Sequence, residues 1–283
     1  MSLTGSARIA GIMGWPVSQA FSPRLHGFWL REMGIDGALV PLPVRPEDFS
    51  TVVVRGLMRA GFRGVSVTIP HKEAAFALAH DHDLAARAAG AVNLLIFHDS
   101  GRIEGRNTDA TGLAASLREE RIDVRGKAVV VLGAGGAARA AAAAAHDLGA
   151  AEVRFINRTK YRADQLAGHL APYVTPALVV HEDWAHAADG AALVIHTTSA
   201  GMKGAPSLDL DLAKLPGDAA LCDIVYNPLE TPILKRARER GLKTVDGLGM
   251  LMHQGVPAFE AFFGKTPRVT PALRTHLEEA LRG

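Results

Sequence analysis

A lysine and an aspartate in the first half of the sequence have side chains suited to a hydroxyl or carbonyl substrate. Lys72 lies in the segment VTIPHK, after an expected strand, and Asp109 lies in GRNTD. A lysine with a carboxylate partner can accept the proton of a hydroxyl group or stabilise an oxyanion. A single lysine or aspartate is more often a surface charge, so the surrounding sequence is needed to assign a catalytic role. We predict Lys72 and Asp109 as the catalytic residues of an alcohol–carbonyl interconversion.

A glycine-rich segment later in the chain predicts a dinucleotide site. An apolar run over 129–132 precedes the turn, an alanine-rich helical stretch follows it, and the turn itself is Gly133, Ala134, Gly135, Gly136 and Ala137. In the order strand, glycine turn, helix, the glycines permit a tight turn and close approach of a pyrophosphate, whose charge meets the helix amides. The alternative is a glycine turn that binds no ligand.

The end of the next expected strand indicates which dinucleotide binds. Residues 152–156 lead into Asn157, Arg158 and Thr159, with Arg162 close behind. An NAD site usually carries Asp or Glu here to bind the ribose 2′-hydroxyl, and this segment has neither. Arginine instead presents a planar set of donors to a 2′-phosphate. We predict NADP rather than NAD, the alternative being a solvated basic helix start.

Alternating strand and helix patterns position these residues and predict parallel sheets with crossover helices. Ser22 is expected as the N-cap of the first helix, and Pro70 is expected to open another. The other expected elements of the front part are strands over 8–13, 38–42 and 64–68, helices over 23–33 and 47–60, and a hairpin over 91–97 and 102–104. A helix over 111–121, a regular β–α region to residue 246, and helices over 247–263 and 272–281 follow.

The predicted fold class is therefore α/β with two domains. Residues 1–110 and 248–283 are expected to form an N-terminal α/β domain that binds substrate and carries the catalytic residues. Residues 111–247 are expected to form a Rossmann-type NADP-binding domain, and the C-terminal helices are expected to pack back on the first domain. Lys72 and Asp109 would then face the cleft between the domains, a preferred place for active sites.

Composition excludes several other classes of protein. The chain has 283 residues, 48% of them hydrophobic, and a net charge of +2, so we expect folded domains with real cores. Its basic residues are scattered, which argues against a nucleic-acid partner, and no segment reads as a leader or a membrane span. The single cysteine, Cys222, is expected to be an inert core thiol and fits a cytoplasmic protein.

One segment has the composition of a metal site but not the spacing. Residues 80–83 read His-Asp-His-Asp. Histidines two positions apart do not share a helix face, so we interpret this segment as a solvated loop and predict no metal site.

Several segments together resemble the shikimate dehydrogenase family. They occur in order over almost the whole chain, which makes the resemblance more specific than any one motif. The segments are GWPV with SPRLH (14–26), VTIPHK (67–72), GAVN (90–93), NTD (107–109), GAGGA (133–137), NRT (157–159), TSAGM (198–202), DIVYNP (223–228) and DGLGMLMHQ (246–254).

The resemblance implies reversible, NADP-dependent reduction of 3-dehydroshikimate to shikimate, a carboxylate with three hydroxyl groups, in aromatic amino-acid biosynthesis. It assigns Lys72 as the acid/base residue and Asp109 as its partner on the substrate hydroxyls. The other implied substrate residues are Ser22, Thr68, Asn93, Tyr226 and Gln254. Ile224 and Gly247 would join the glycine turn and residues 157–162 around the cofactor. The resemblance also allows a homodimer through the first domain.

The chain departs from the family pattern at four positions. The first motif usually has two serines that bind the substrate carboxylate, and the first of them is Ala20 here. Ser66, Leu94 and His196 replace an Asn, a Thr and an Asn, and His196 is expected near the cofactor. These changes leave two alternatives open. One is a paralogue that acts on quinate or an aminoshikimate-like compound, and the other is a non-catalytic dinucleotide-binding regulator, which would need neither Lys72 nor Asp109.

Overall fold

The computed structural model describes residues 3–282 of the chain. Within them the strands are β1 (Arg8–Gly14), β2 (Gly37–Pro43), β3 (Gly64–Val67), β4 (Asp81–His82), β5 (Leu94–Phe97), β6 (Ile103–Arg106), β7 (Ala128–Leu132), β8 (Glu152–Ile156), β9 (Ala177–His181), β10 (Ala191–His196), β11 (Ala220–Asp223) and β12 (Lys243–Val245). The α-helices are α1 (Ser22–Glu32), α2 (Phe49–Thr51), α3 (Lys72–Leu78), α4 (Leu84–Ala89), α5 (Asp109–Glu119), α6 (Gly136–Asp147), α7 (Lys160–Leu170), α8 (Trp184–Ala188), α9 (Pro232–Glu239), α10 (Gly247–Phe263) and α11 (Pro271–Arg282).

The chain divides into two compact units. Unit 1 comprises Met1–Thr108 and Gln254–Gly283, and unit 2 comprises Asp109–His253. The chain thus passes from unit 1 to unit 2 at the start of α5, and the second division falls inside α10 rather than at its first residue. The predicted domain bounds, at residues 110 and 248, lie a few positions away from these divisions.

Unit 1 is built on a mixed sheet of order β2-β1-β3-β5-β6-β4. Strand β1 pairs in parallel with β2 and β3, whereas β5 is antiparallel to both β3 and β6. The expectation of parallel pairing is therefore wrong for β5. The chain enters β5 at the carboxyl end of β3, where the Val67 amide donates to the carbonyl oxygen of Asn93 at 2.7 Å, and the β5–β6 hairpin then reverses it again. The hairpin itself is confirmed.

The C-terminal helices pack within unit 1, as predicted. The indole Nε1 of Trp29 donates to the carbonyl oxygen of Arg268 at 2.9 Å, and a guanidinium nitrogen of Arg8 donates to the carbonyl oxygen of Phe263 at 2.5 Å. Helix α10 also lies close to α1 at Gly255, where a Cβ atom would be 2.6 Å from Leu25 Cδ2. The tail thus covers the buried face of α1.

Unit 2 is a doubly wound parallel sheet of order β12-β11-β10-β7-β8-β9. The central strand, β7, is buried along most of its length, as expected for an apolar strand covered by helices on both faces. The chain order reverses between β7 and β10, and ligands of such sheets bind at the carboxyl ends of strands beside this reversal. The glycine turn follows β7 at this edge.

Three local predictions in unit 1 are wrong. Helix α1 starts at Ser22 itself with Phe21 in the N-cap position, and no side chain caps it. The helix after β3 starts at Lys72 rather than at Pro70. Residues 81–82 are a short edge strand rather than a loop, because His80 and Asp83 bond to the backbone of β6.

The expected helix over 47–60 is interrupted. A 3₁₀ turn over Pro46–Asp48 precedes α2, and Val52–Leu57 then form a π-helical segment. Residues 51–54 are four consecutive β-branched residues, whose stiff side chains crowd the preceding turn of an α-helix. Phe49, Val53 and Leu57 are still buried, so one face of the segment packs on the core.

Candidate functional site

Unit 1 places Thr68 and Lys72 at the carboxyl end of β3. The amide of Thr68 donates to the carbonyl oxygen of Met13 at the end of β1, at 2.9 Å. Gly14 allows this approach, because a Cβ atom there would lie 2.5 Å from Thr68 Cγ2. Lys72 is half-buried at the first turn of α3, and its carbonyl oxygen accepts the amide of Val92 at 2.9 Å. Its backbone is thus fixed one residue from Asn93.

Asn93 is the centre of a buried polar cluster that also contains Thr108 and Gln254. Its Oδ1 accepts the Thr108 amide at 2.9 Å. Its Nδ2 donates to Thr108 Oγ1 at 3.0 Å and to Gln254 Oε1 at 3.2 Å. The Thr108 hydroxyl also bonds to the carbonyl oxygen of Gln254 at 3.0 Å. We name these three residues the amide cluster; it joins β5, the end of β6 and α10.

Ser22 lies on the buried face of α1. It shares that face with Leu25, His26 and Trp29, at the i, i+3, i+4 and i+7 positions. Leu25 and Trp29 contact α10 at Gly255, the residue after Gln254. Ser22 therefore faces the part of α10 that carries the amide cluster, and its hydroxyl is not used to cap the helix.

Two of the predicted substrate residues belong to unit 2. Asp109 is buried, with 8% of its surface exposed, as the first residue of α5, directly after Thr108 of the amide cluster. Tyr226 is half-buried beyond the end of β11. Unit 1 thus brings together Thr68, Lys72, Asn93 and Gln254, with Ser22 on a neighbouring helix. That these residues act on one substrate with Asp109 and Tyr226 stays a prediction.

The glycine turn of unit 2 combines a constrained first glycine with two glycines that border open space. Gly133 has a φ of +117°, and a Cβ atom there would lie 2.7 Å from Thr197 Oγ1, so only glycine fits. Gly135 and Gly136 are exposed, and a Cβ atom at either would meet no atom within 4 Å. Ala134 and Ala137 are half-buried beside them. The turn is followed by the free amides at the start of α6, a 12-residue helix.

The basic residues after β8 differ in their partners. The Lys160 ammonium is 2.9 Å from Asp164 in an ion pair. Arg158 and Arg162 are exposed and make no ion pair within residues 3–282. Asn157 donates from Nδ2 to the carbonyl oxygen of Thr159 at 2.8 Å, which shapes the turn between β8 and α7. The two arginines are therefore the cations available to a 2′-phosphate.

Ile224 and Gly247 are neighbours in unit 2. The Gly247 amide donates to the carbonyl oxygen of Val225 at 3.3 Å. A Cβ atom at Gly247 would lie 2.1 Å from the carbonyl oxygen of Ile224, a distance that no side chain tolerates. The start of α10 and the segment after β11 thus meet at a position that requires glycine.

Sequence reasoning assigned no role to Thr108, Thr197 or Thr198. Thr108 belongs to the amide cluster, and Thr197 donates from its hydroxyl to the carbonyl oxygen of Leu132 at 2.7 Å, beside the glycine turn. Their positions could have identified them as candidates, because each follows the carboxyl end of a strand within a polar segment.

The cysteine and the His-Asp-His-Asp segment, to which no functional role was assigned, have structural roles in the fold. Cys222 is buried in β11, and burial raises the pKa of its thiol well above the ordinary value, so it is not a nucleophile. Asp83 caps α4 by accepting the Ala86 amide at 2.6 Å, and His82 bonds to the carbonyl oxygen of Phe76. Among residues 3–282, no three His, Cys, Asp or Glu side chains are placed to hold a metal ion. No helix in this range is both long and apolar enough to cross a bilayer.

Comparisons with known proteins connect both units to one family. The family model for the shikimate dehydrogenase substrate binding domain matches residues 12–95, and the model for shikimate / quinate 5-dehydrogenase matches residues 114–203. The shikimate dehydrogenase (NADP(+)) of Paramagnetospirillum magneticum is 51% identical over 277 residues, which are 96% of this chain and 98% of that protein.

Solved structures with the same fold include dehydrogenases that are named for different substrates. Shikimate 5-dehydrogenase from Thermus thermophilus, in complex with NADP(H) and shikimate, superposes with a TM-score of 0.84 at 35% identity, covering 97% of this chain and 98% of that chain. Quinate dehydrogenase from Corynebacterium glutamicum, in complex with NAD, superposes with a TM-score of 0.87 at 27% identity, covering 96% and 99%. Likeness of fold therefore does not select the substrate.

Proposed function

The chain belongs to the shikimate dehydrogenase family, and we propose that it catalyses the reversible, NADP-dependent reduction of 3-dehydroshikimate to shikimate. The observation that carries the proposal is the amide cluster of unit 1, next to Lys72 in the fold. Its amide and hydroxyl groups suit a substrate with several hydroxyl groups, and the ammonium group suits the proton transfer. Identity of 51% with a shikimate dehydrogenase, against 27% with a quinate dehydrogenase, favours shikimate.

The proposed chemistry divides between a cofactor and two side chains. Bound NADP supplies or accepts the hydride. In the direction of reduction, the Lys72 ammonium donates its proton to the carbonyl oxygen as that oxygen becomes a hydroxyl group. In the direction of oxidation, the Lys72 amine accepts the hydroxyl proton. Asp109 is assigned as the carboxylate that balances the lysine charge and accepts a hydrogen bond from a substrate hydroxyl.

The remaining assignments follow the chemistry of each group. Ser22, Thr68, Asn93, Tyr226 and Gln254 would hold the substrate carboxylate and hydroxyls. The turn at 133–137 and the start of α6 would bind the pyrophosphate, and Arg158 with Arg162 the 2′-phosphate. Asn157, Thr159, Ile224 and Gly247 would complete the cofactor site. The fit of the glycine turn, where Gly135 and Gly136 leave open space, supports this assignment.

Quinate is the second candidate substrate, and one observation favours it. The position usually held by a carboxylate-binding serine is Ala20, which has no hydroxyl group. A dehydrogenase for quinate has the same fold, so a shifted substrate would need only local changes.

A panel of substrates and cofactors tests the proposal. We expect NADPH formation from shikimate and NADP⁺, with kcat/KM at least tenfold above that for quinate or aminoshikimate, and above that with NAD⁺. Preference for quinate would replace the proposed substrate while keeping the reaction. Binding of NADP⁺ without turnover of any of the three compounds would contradict the enzyme assignment and support the regulator.

Assembly and location are further proposals. We propose a homodimer in the cytoplasm with no nucleic-acid partner. A single cysteine fits a reducing compartment, and scattered basic residues give no footprint for a phosphate backbone. Light scattering of the purified protein tests the assembly, and a monomer at micromolar concentration would contradict it.

A further inference from the structure

Unit 2 contains a buried polar network that the assignments above do not use. Its members are His196, Thr198, Asp223 and Thr231, and we name them the histidine network. The side chains of His196 and Asp223 are both 0% exposed, and the two residues are paired neighbours on β10 and β11. A buried histidine and aspartate are costly unless their polar atoms are satisfied, so the network is expected to hold one arrangement.

The aspartate is held by two hydrogen bonds and lies beside the imidazole of His196. Its Oδ1 accepts the Val225 amide at 3.0 Å, and its Oδ2 accepts the Thr231 hydroxyl at 2.7 Å. His196 Nδ1 lies 3.1 Å from Oδ1 of the same carboxylate, within ion-pair distance but outside hydrogen-bond alignment. Because a carboxylate oxygen faces Nδ1, the proton of the imidazole is favoured on that nitrogen.

The other imidazole nitrogen reaches the segment after β10. His196 Nε2 lies 2.6 Å from Thr198 Oγ1, and the same hydroxyl oxygen accepts the Ala200 amide at 3.2 Å. When the proton of His196 is on Nδ1, Nε2 is an acceptor, and the Thr198 hydroxyl donates to it. The imidazole therefore connects the anchored aspartate to residues 198–200.

This segment forms one side of the glycine turn. Thr197 bonds to the carbonyl oxygen of Leu132 through both its amide, at 3.0 Å, and its hydroxyl, at 2.7 Å. A Cβ atom at Gly133 would be 2.7 Å from Thr197 Oγ1 and 3.2 Å from Thr198 Cγ2. The segment 197–200 thus lies at the carboxyl end of β10, at the reversal of strand order beside β7, where a dinucleotide binds.

We propose that His196 is a positioning residue of the cofactor site, which holds the Thr198 hydroxyl so that the segment 197–200 is preorganised against the glycine turn for NADP. The inference rests on the proposed function only in the identity of the ligand. Its effect is on the affinity for NADP and not on the proton transfer, because a preordered segment loses less conformational freedom on binding.

Two amide variants separate the two sides of the imidazole. Glutamine at 196 places its terminal amide near the position of Nε2, so His196→Gln keeps a partner for Thr198. Asparagine is shorter and reaches only the position of Nδ1, so His196→Asn keeps a partner for Asp223 and releases Thr198. Thr198→Val removes the hydroxyl at nearly constant volume, and Thr198→Ser restores it. Thr175→Val is the matched control, because it removes a hydroxyl that bonds to another histidine of unit 2, His146, at 2.8 Å, in the segment before β9 and outside the histidine network.

Calorimetric titration of each protein with NADP⁺, in the absence of substrate, tests the inference. We expect Kd to rise about tenfold in His196→Asn and in Thr198→Val, the size of one lost hydrogen bond. Kd should stay within threefold of wild type in His196→Gln, Thr198→Ser and Thr175→Val. An unchanged Kd in Thr198→Val would overturn the inference, as would equal losses in the two amide variants. Because no turnover is measured, failure here is separate from failure of the proposed reaction.

Discussion

The side-chain amide of Asn93 donates to Oε1 of Gln254 at 3.2 Å, a bond between residues 161 positions apart in the chain. It links the start of β5 to the helix that returns to unit 1 at the C-terminus. Asn93 has structural partners for both ends of its amide, whereas Gln254 presents its side chain from a helix face.

Substitution of Gln254 and of Asn93, the two amide side chains of the amide cluster, should affect KM and Tm differently. Gln254→Ala should raise KM for shikimate about tenfold, because a lost hydrogen bond to a charged or polar substrate costs about 1–3 kcal/mol. It should lower Tm less than Asn93→Ala does, because Asn93 Nδ2 keeps Thr108 Oγ1 as an acceptor. Asn93→Ala should also lower Tm, because it leaves the buried Thr108 amide without its acceptor. Steady-state kinetics with a melting curve for each variant measures both effects. A Gln254→Ala variant with unchanged KM would remove Gln254 from the substrate site.

We expect the guanidinium group of Arg158 to be responsible for a preference for NADP over NAD. Arg158→Ala should raise KM for NADP⁺ about tenfold and leave KM for NAD⁺ nearly unchanged, because only NADP has a 2′-phosphate for the guanidinium group. Lys160→Ala is the matched control, since that ammonium is already paired with Asp164, and its KM for NADP⁺ should stay within about twofold. Parallel loss for both cofactors in Arg158→Ala would argue against a 2′-phosphate contact.

We expect a serine in place of Ala20 to increase the affinity for the substrate. Ala20→Ser restores a hydroxyl group that can bond to the substrate carboxylate, a contact of about 1.5–3 kcal/mol when well formed. We expect KM for shikimate to fall about tenfold or more while kcat stays nearly constant. Initial rates over a range of shikimate concentrations decide the matter. A KM that is unchanged or higher would show that another group already fills this role.

Unit 2 was the more predictable half of the fold, because its strands alternate regularly with helices and its central strand is a continuous apolar run. The residue types alone predict the strand at 128–132 and the turn with glycines at 133, 135 and 136. In unit 1, the expected helix over 47–60 failed because four β-branched residues outweigh the amphipathic pattern. The short strand at 81–82 depends on pairing with β6, which no local pattern reveals.

The candidate site shows the same division. The residue types of Lys72 and the glycine turn indicated their chemistry, and the family resemblance pointed to Asn93. The hydrogen bonds among Asn93, Thr108 and Gln254 depend instead on how β6 and α10 pack. His196 could be recognised as an unusual residue, but not as the partner of Asp223 and Thr198, because those contacts join two strands and a loop.

His26 predicts a pH-dependent stability that is independent of the active site. It is enclosed by Trp29, Phe259 and Phe262, and burial lowers its pKa from 6.5 to about 3. The imidazole is therefore neutral in the folded state, while the unfolded chain binds a proton below pH 6.5. The stability that this group contributes is present above pH 6.5 and is lost as the pH falls toward 3.

Urea unfolding at pH 7 and pH 5 measures the effect. The wild type should lose about 2 kcal/mol more than His26→Leu over this interval, since each pH unit below the unfolded pKa is worth about 1.4 kcal/mol. His186→Gln, a change at an exposed histidine, serves as the control and should follow the wild type. Identical pH dependence of wild type and His26→Leu would mean that His26 is protonated in the fold.

The role of Lys72 as the proton carrier is the central claim, and Lys72→Met tests it most directly. The substitution keeps an unbranched side chain as far as the ε position and removes the ammonium group, whereas Glu73→Gln on the same helix changes an exposed neighbour. We measure kcat for shikimate oxidation together with Kd for NADP⁺. The account predicts that Lys72→Met lowers kcat about 10²- to 10⁴-fold with Kd unchanged, and that Glu73→Gln alters neither. A Lys72→Met enzyme that keeps kcat within tenfold of wild type would contradict it.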